Sequence, residues 1–274
     1  MFIILLFSGK AISLLKKLKI REEIRSDGPK RHLAKSGTPT MGGILIIFSV
    51  IFSILLWGNL TNRFVLLFII TLLAYGFIGF YDDYLKIFKK KGFSALIKFI
   101  LQIAISTGIA VFLYFYGADE ITNLYIPFFT KPVLRMGIFF IPFSIFILVA
   151  ATNAVNLTDG LDGLAIGLSM FAILPFVIFA YVTGHVKIAE YLKIPYISAA
   201  AETTVVGASI LGACIGFLWF NSHPAEIFMG DTGSLSLGAS IGLFSIIVKK
   251  ELLLPLIGGI FVIEVVSVII QVLY

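Results

Sequence analysis

Eight long, almost uninterrupted apolar stretches constrain this chain more than any other feature, at about 41–58, 64–80, 99–117, 136–152, 163–183, 203–220, 233–248 and 252–274. A helix needs roughly 17–25 apolar residues to cross the hydrocarbon core, whereas a barrel strand needs about 10 and alternates in polarity. The stretches therefore predict an all-α, polytopic transmembrane helical bundle. Composition agrees, with 59% of the 274 residues hydrophobic, 13% charged and a mean hydropathy of +1.05, against about 25% charged in an ordinary soluble domain. Met1–Phe7 is apolar, too short to span and without a cleavage pattern, so it reads as the tail of one further helix. No repeat or low-complexity tract divides the chain, and 1–274 reads as a single integral membrane domain.

The connections alternate between two sides. Segments 9–35, 81–98, 153–162 and 221–232 hold twice as many Lys and Arg as 59–63, 118–135, 184–202 and 249–251, which places the first set in the cytoplasm. The net charge of +6 comes from these flanking residues, which suit lipid headgroups and call for no nucleic acid. Cys214 lies alone inside an apolar run, so neither an internal disulfide nor a cysteine metal cluster can form. On the second side, Pro127 and Pro132 suit a segment lying in the interface, and 184–196 shows a helix-like pattern.

Every unusual polar motif falls on the cytoplasmic side. Asp82-Asp83 ends one apolar stretch and precedes Lys86, Lys89, Lys90 and Lys91. One Asp there would be an ordinary helix end, but two adjacent carboxylates near hydrocarbon repel unless a cation joins them. Such hard oxygen donors suit Mg²⁺ shared with substrate phosphates, or one of them accepts a proton. Asn153-Ala154-Val155-Asn156-Leu157-Thr158-Asp159-Gly160-Leu161-Asp162-Gly163 gathers two amides, a hydroxyl and two carboxylates. If a helix begins near Thr158, Asp159 and Asp162 share one face of its first turn, where capping competes with ligand binding. The run Met229-Gly230-Asp231-Thr232-Gly233-Ser234 sets a carboxylate between glycines, with Asn221 and Phe228 before it.

Lys35 and Thr40 flank the turn Gly37-Thr38-Pro39-Thr40-Met41-Gly42-Gly43, and Lys98 opens the next span. Lysines at such positions are commonly snorkelling anchors, and beside carboxylates and phosphates they neutralise oxygens. The histidines contribute little: His185 is on the far side, His32 lies in a basic loop and His223 stands alone in another. The inventory holds acids, amides and lysines but no Ser-His or Cys-His pair, which fits phosphoryl transfer to a membrane-borne phosphate.

Thr38–Gly43, Gly79-Phe80-Tyr81-Asp82-Asp83, the stretch 153–165 and Phe228–Ser234 together resemble the polyprenyl-phosphate N-acetylhexosamine-1-phosphate transferases of glycosyltransferase family 4, in particular their phospho-N-acetylmuramoyl-pentapeptide branch. The resemblance implies a multi-pass enzyme of the bacterial inner membrane, with its active site facing the cytoplasm. It implies transfer of phospho-MurNAc-pentapeptide from UDP-MurNAc-pentapeptide to undecaprenyl phosphate, giving lipid I and UMP with Mg²⁺ as cofactor. It assigns Asp231 as chief metal ligand, with Asp82 and Asp83 as catalytic and metal-binding acids at the lipid phosphate. Gly160, Leu161, Asp162 and Phe228 would form a uridine pocket, with Asn156, Asp159, Asn221, Gly230, Lys35, Thr40 and Lys98 around it and the diphosphate, and Gln271 on the last span as a nucleoside contact. A homodimer is compatible with the same likeness. The family has ten spans, against about eight plus a partial first helix here, so the start of helix one, a His-rich motif and the last helix are expected to lie outside this sequence.

Two rivals use the same residues. A sibling transferring GlcNAc-1-phosphate from UDP-GlcNAc differs only in the sugar, and the Thr-Pro-Thr-Met-Gly-Gly form and the long central motif favour the MurNAc enzyme. An Asp-lined cation transporter would place its acids at mid-bilayer, often within paired repeats. The acids here fall instead at predicted cytoplasmic ends.

Overall fold

A computed structural model describes residues 1–17, 38–126 and 131–273, and Lys35 and His32 lie outside that range. The helices are α1 (Phe2–Lys17), α2 (Gly43–Trp57), α3 (Arg63–Lys89), α4 (Ala95–Tyr116), α5 (Phe140–Thr158), α6 (Leu164–Thr183), α7 (Val186–Tyr191), α8 (Thr203–Asn221), α9 (Gly230–Ile247), α10 (Leu254–Ile257) and α11 (Gly259–Leu273). A two-residue hairpin, β1 (Asn123–Leu124) antiparallel to β2 (Leu134–Arg135), lies between α4 and α5. All eight apolar stretches are helical, which makes the chain an all-α, multi-pass membrane bundle.

Among the described residues, α3, α4, α5, α6 and the segment ending in α8 are each long and apolar enough to cross a membrane. The other stretches depart from simple spans. The last one breaks, with α10 and α11 meeting at 75° around Gly258. Pro255 lies in the first turn of α10, and a Gly-Gly step follows it, so the helix has neither a donor nor stiffness to carry it through. The N-terminal stub is also longer than its apolar part, since α1 continues through Lys10, Lys16 and Lys17.

The pivot of the bundle is α9, every residue of which is buried from Thr232 to Ile247. It packs chiefly against α3 and α5, with α2 and α6 also in contact. Because it meets protein rather than lipid, it need not be strongly apolar, and half of it is Gly, Ser, Thr and Ala. Its serines satisfy themselves on the helix backbone: Ser236 donates to Thr232 and Gly233 carbonyls and Ser240 to that of Ser236. Small residues allow close backbone approach, for a Cβ on Gly79 of α3 would sit 2.2 Å from the Asp231 carbonyl oxygen. That contact sets the Asp82-Asp83 turn of α3, which continues to Lys89, directly against the start of α9.

Candidate active site

Two aspartates from different helices share two lysines where α3, α4 and α9 meet. Lys86, one turn beyond Asp82 on α3, sets its Nζ 2.8 Å from Asp82 Oδ2 and 3.1 Å from Asp231 Oδ1. Lys98 reaches across from α4, with Nζ 2.9 Å from the same Asp82 oxygen and in contact with Asp231 Oδ2. Asp82 is anchored by its other oxygen, which accepts from the backbone N–H of Phe93 at 2.6 Å. The cluster is open on one side, since the Lys86 side chain is 48% exposed while that of Asp82 is 1%. From sequence Lys86 stands only as one of four lysines after Asp82-Asp83 and not as a site residue, although its i,i+4 spacing from Asp82 is a readable signal.

Asp83 faces elsewhere. It accepts from Asp231 N–H at 3.1 Å, Thr232 N–H at 3.0 Å and the Thr232 hydroxyl at 2.8 Å, so it caps the start of α9 from a neighbouring helix. Its distance to Lys86 is 3.9 Å. Gly230 enters α9 at φ +71°, and a Cβ there would fall 2.6 Å from Asp83 Oδ2 and 3.0 Å from Thr40 Oγ1. Thr40 therefore lies beside the same cap. The segment around it pairs with the approach to α9: Phe228 N–H donates to Pro39, and Gly42 and Gly43 donate to Phe228 and Met229 carbonyls.

The central polar stretch is a helix end followed by a turn, not a helix start. α5 continues to Thr158, whose hydroxyl donates back to Ala154, and Asp159 is the C-cap. Gly160 and Leu161 are exposed in the turn, and α6 begins only at Leu164, after Gly163 at φ +75°. Asp159 and Asp162 thus belong to a loop and not to a shared helical face; the apolar run and polar residues from Asn153 to Thr158 simply prolong α5. Asn156 accepts from the Ser234 hydroxyl at 2.7 Å, tying this end of α5 to the first turn of α9. That places the 153–163 stretch at the same end of the bundle as Asp231.

Asp162 is not isolated, and neither is His223. Asp162 Oδ2 lies 3.0 Å from His223 Nδ1 and accepts from Ala225 N–H, with the carboxylate 4% and the imidazole 79% exposed. The pair spans 61 positions in sequence, so nothing local announced it. Asn221 holds the same corner: its amide accepts from Gly163 N–H and donates to the Ile227 carbonyl. Phe228 is half-buried beside it. Gln271, in contrast, is exposed on the last turn of α11, where among the described residues its hydrogen-bond partner is Ser267 and not the aspartate cluster.

Asp82, Asp83 and Asp231 lie 2.8, 3.9 and 3.1 Å from the Lys86 ammonium, which occupies the point they share. Among the described residues no group of three His, Cys, Asp or Glu side chains is arranged around a metal position. Asp82 and Asp231 nevertheless form a hard-oxygen pair already spanned by cations, which is the donor chemistry Mg²⁺ takes together with phosphate oxygens. The pair fits such an ion, and Asp83 contributes by fixing the backbone of Asp231.

A membrane-embedded helical bundle with a Lys-bridged Asp pair at the helix ends is the frame of a lipid-dependent sugar-phosphate transferase, and this chain belongs to glycosyl transferase family 4, whose model matches residues 65–249. Residues 35–47 match signature 1 of the phospho-N-acetylmuramoyl-pentapeptide-transferases. The protein of that name from Thermodesulfovibrio yellowstonii is 49% identical over 276 residues, covering 100% of this chain and 76% of the relative. Those of Leptospira biflexa and Desulforapulum autotrophicum are 48% and 49% identical, covering 99% and 96% of this chain and 77% and 74% of theirs.

Proposed function

We propose that this protein transfers phospho-MurNAc-pentapeptide from UDP-MurNAc-pentapeptide to undecaprenyl phosphate, releasing UMP and forming lipid I for peptidoglycan. The observation that carries the reading is the Asp82–Lys86–Asp231–Lys98 cluster, open at the ends of membrane helices, in a chain about half identical to enzymes named for this transfer. The reading places it in the bacterial inner membrane as one transferase domain, with the cluster facing the cytoplasm where UDP-linked substrates reside.

In phosphoryl transfer the protein positions reactants and neutralises oxygens. Lys86 and Lys98 both bridge Asp82 and Asp231, so both can turn to phosphate oxygens while these acids keep them in place. Asp231 and Asp82 would hold Mg²⁺, which supplies charge neutralisation at the diphosphate when bound. One of Asp82 and Asp83 would receive a proton from the lipid phosphate; Asp82 is oriented by the Phe93 N–H and ion-paired with Lys86 and Lys98. The Asp159–Asp162 turn, with Gly160 and Leu161 exposed and Phe228 and Asn221 beside it, is the surface assigned to the uridine. Lys35, Thr40, Asn156 and Gly230 complete the proposed surroundings of the diphosphate.

The test is transfer of radiolabel from UDP-MurNAc-pentapeptide into an extractable lipid by the protein in proteoliposomes containing undecaprenyl phosphate, with and without Mg²⁺. Label appearing instead from UDP-GlcNAc would reassign the sugar, and no label from either would overturn the reading.

A further inference from the structure

Lys98 is the member of the cluster contributed by α4, and apolar contact alone does not fix where α4 stands. It packs mainly on α5, and smooth apolar surfaces define a helix's rotation and axial height poorly. One turn beyond Lys98, however, Gln102 is fully buried and faces Asn153 of α5. The two amides bond reciprocally: Asn153 Nδ2 donates to Gln102 Oε1 at 2.6 Å, and Gln102 Nε2 donates to Asn153 Oδ1 at 3.4 Å. The Asn153 amide is itself oriented by donating to the Val149 carbonyl at 2.8 Å.

Paired amides of this kind set both distance and rotation, since a slip of either helix breaks two bonds, one of them to a fully buried amide. The pair is also linked at both ends. One turn toward the cluster on α5, Asn156 accepts from Ser234 of α9, next to Asp231. On α4, the Gln102 carbonyl accepts from the Tyr75 hydroxyl, which also meets Ser106 Oγ at 2.6 Å. A polar chain therefore runs from α3 through α4 and α5 to α9, the helices that bear the cluster and its support.

We infer that the Gln102–Asn153 amide pair is a positioning device that sets Lys98 over Asp82 and Asp231. Neither residue touches a reactant. The inference rests on the proposed phosphoryl transfer, in which Lys98 neutralises phosphate oxygens. Losing the pair lets α4 shift, and a displacement of about 1 Å at a charged group is enough to slow such a step on the order of 100-fold.

The experiment is a double-mutant cycle on the protein in proteoliposomes, read as the rate of UMP release. Asn153→Leu and Gln102→Leu are each expected to slow release about 10- to 100-fold, with neither adding a loss in a Lys98→Met background. The transposed variant Gln102→Asn/Asn153→Gln restores the pairing and is expected to recover most of the rate. A merely structural role would predict losses that multiply with Lys98→Met. Multiplicative losses, or wild-type rates in both single variants, overturn this inference and leave the proposed function standing. A wild-type rate in Lys98→Met removes the lysine's part in the proposed function and this inference with it.

Discussion

The two ends of α9 carry ionic clusters of opposite design. At its start, Asp82 and Asp231 share Lys86 and Lys98, Asp83 lies 3.9 Å from Lys86, and Lys86 is half exposed. Just past its end, Lys249 and Glu251 pair one to one with both side chains fully buried, and the Lys249 ammonium also donates to the Ile121 carbonyl and lies 5.5 Å from the Phe140 ring centre. Burial pulls Lys249 below its ordinary value, against the opposing pull of Glu251. The far cluster is closed to solvent, and through the Ile121 carbonyl it ties the 119–122 turn to the segment before α10. The near cluster leaves its cations shared and reachable, which costs desolvation without full pairing and makes sense where a phosphate completes it.

Replacing the central acid should separate the two ends most sharply. Asp231→Asn is expected to lower UMP release by at least about 1,000-fold, as loss of a main electrostatic group does, while the thermal unfolding midpoint stays near wild type. Near-normal turnover would show that the start of α9 is as structural as its end. At the far end the expectation reverses: Lys249→Met leaves Glu251 buried without its ion pair and should destabilise the fold by about 3–5 kcal/mol. The double change Lys249→Met/Glu251→Leu should recover most of that loss in a chemical or thermal melt, and failure to recover would mean the pair does more than satisfy itself.

Asp83 tests the boundary between the two designs, because it belongs to the open cluster but is spent on capping. Asp83→Asn retains one acceptor oxygen for the α9 cap and loses charge, whereas Asp83→Ala removes the cap entirely. The Ala variant should be slower by about 100-fold through misplaced Asp231, with Asn intermediate. Equal loss in both would assign Asp83 a charged role in the chemistry. The smallest effect is expected at the turn: Asp162→Ala should weaken binding of a uridine nucleotide about 10-fold, the value of one charge-assisted hydrogen bond, measured by calorimetry. Unchanged affinity would move the nucleotide away from the Asp162–His223 corner.

The membrane class, the helical nature of all eight apolar stretches and the gathering of polar motifs at one end are legible in the chain because they depend on local composition. Lipid excludes unsatisfied backbone, so a long apolar run has essentially one solution. The sequence also supplied Asp82 and Asp231, since charges are too costly near hydrocarbon to be incidental. Partnership was decided only by the packed bundle. Whether a carboxylate meets a lysine, as Asp82 does, or the start of another helix, as Asp83 does, depends on side-chain directions one residue apart across a helix interface. No local pattern encodes that choice. The same holds for Asp162 with His223, for Asn153 with Gln102, and for the burial of α9, whose modest hydropathy makes sense only once its neighbours are protein. Residue chemistry fixed what was available at the membrane surface, and tertiary packing alone determined which groups face a reactant and which hold the others in place.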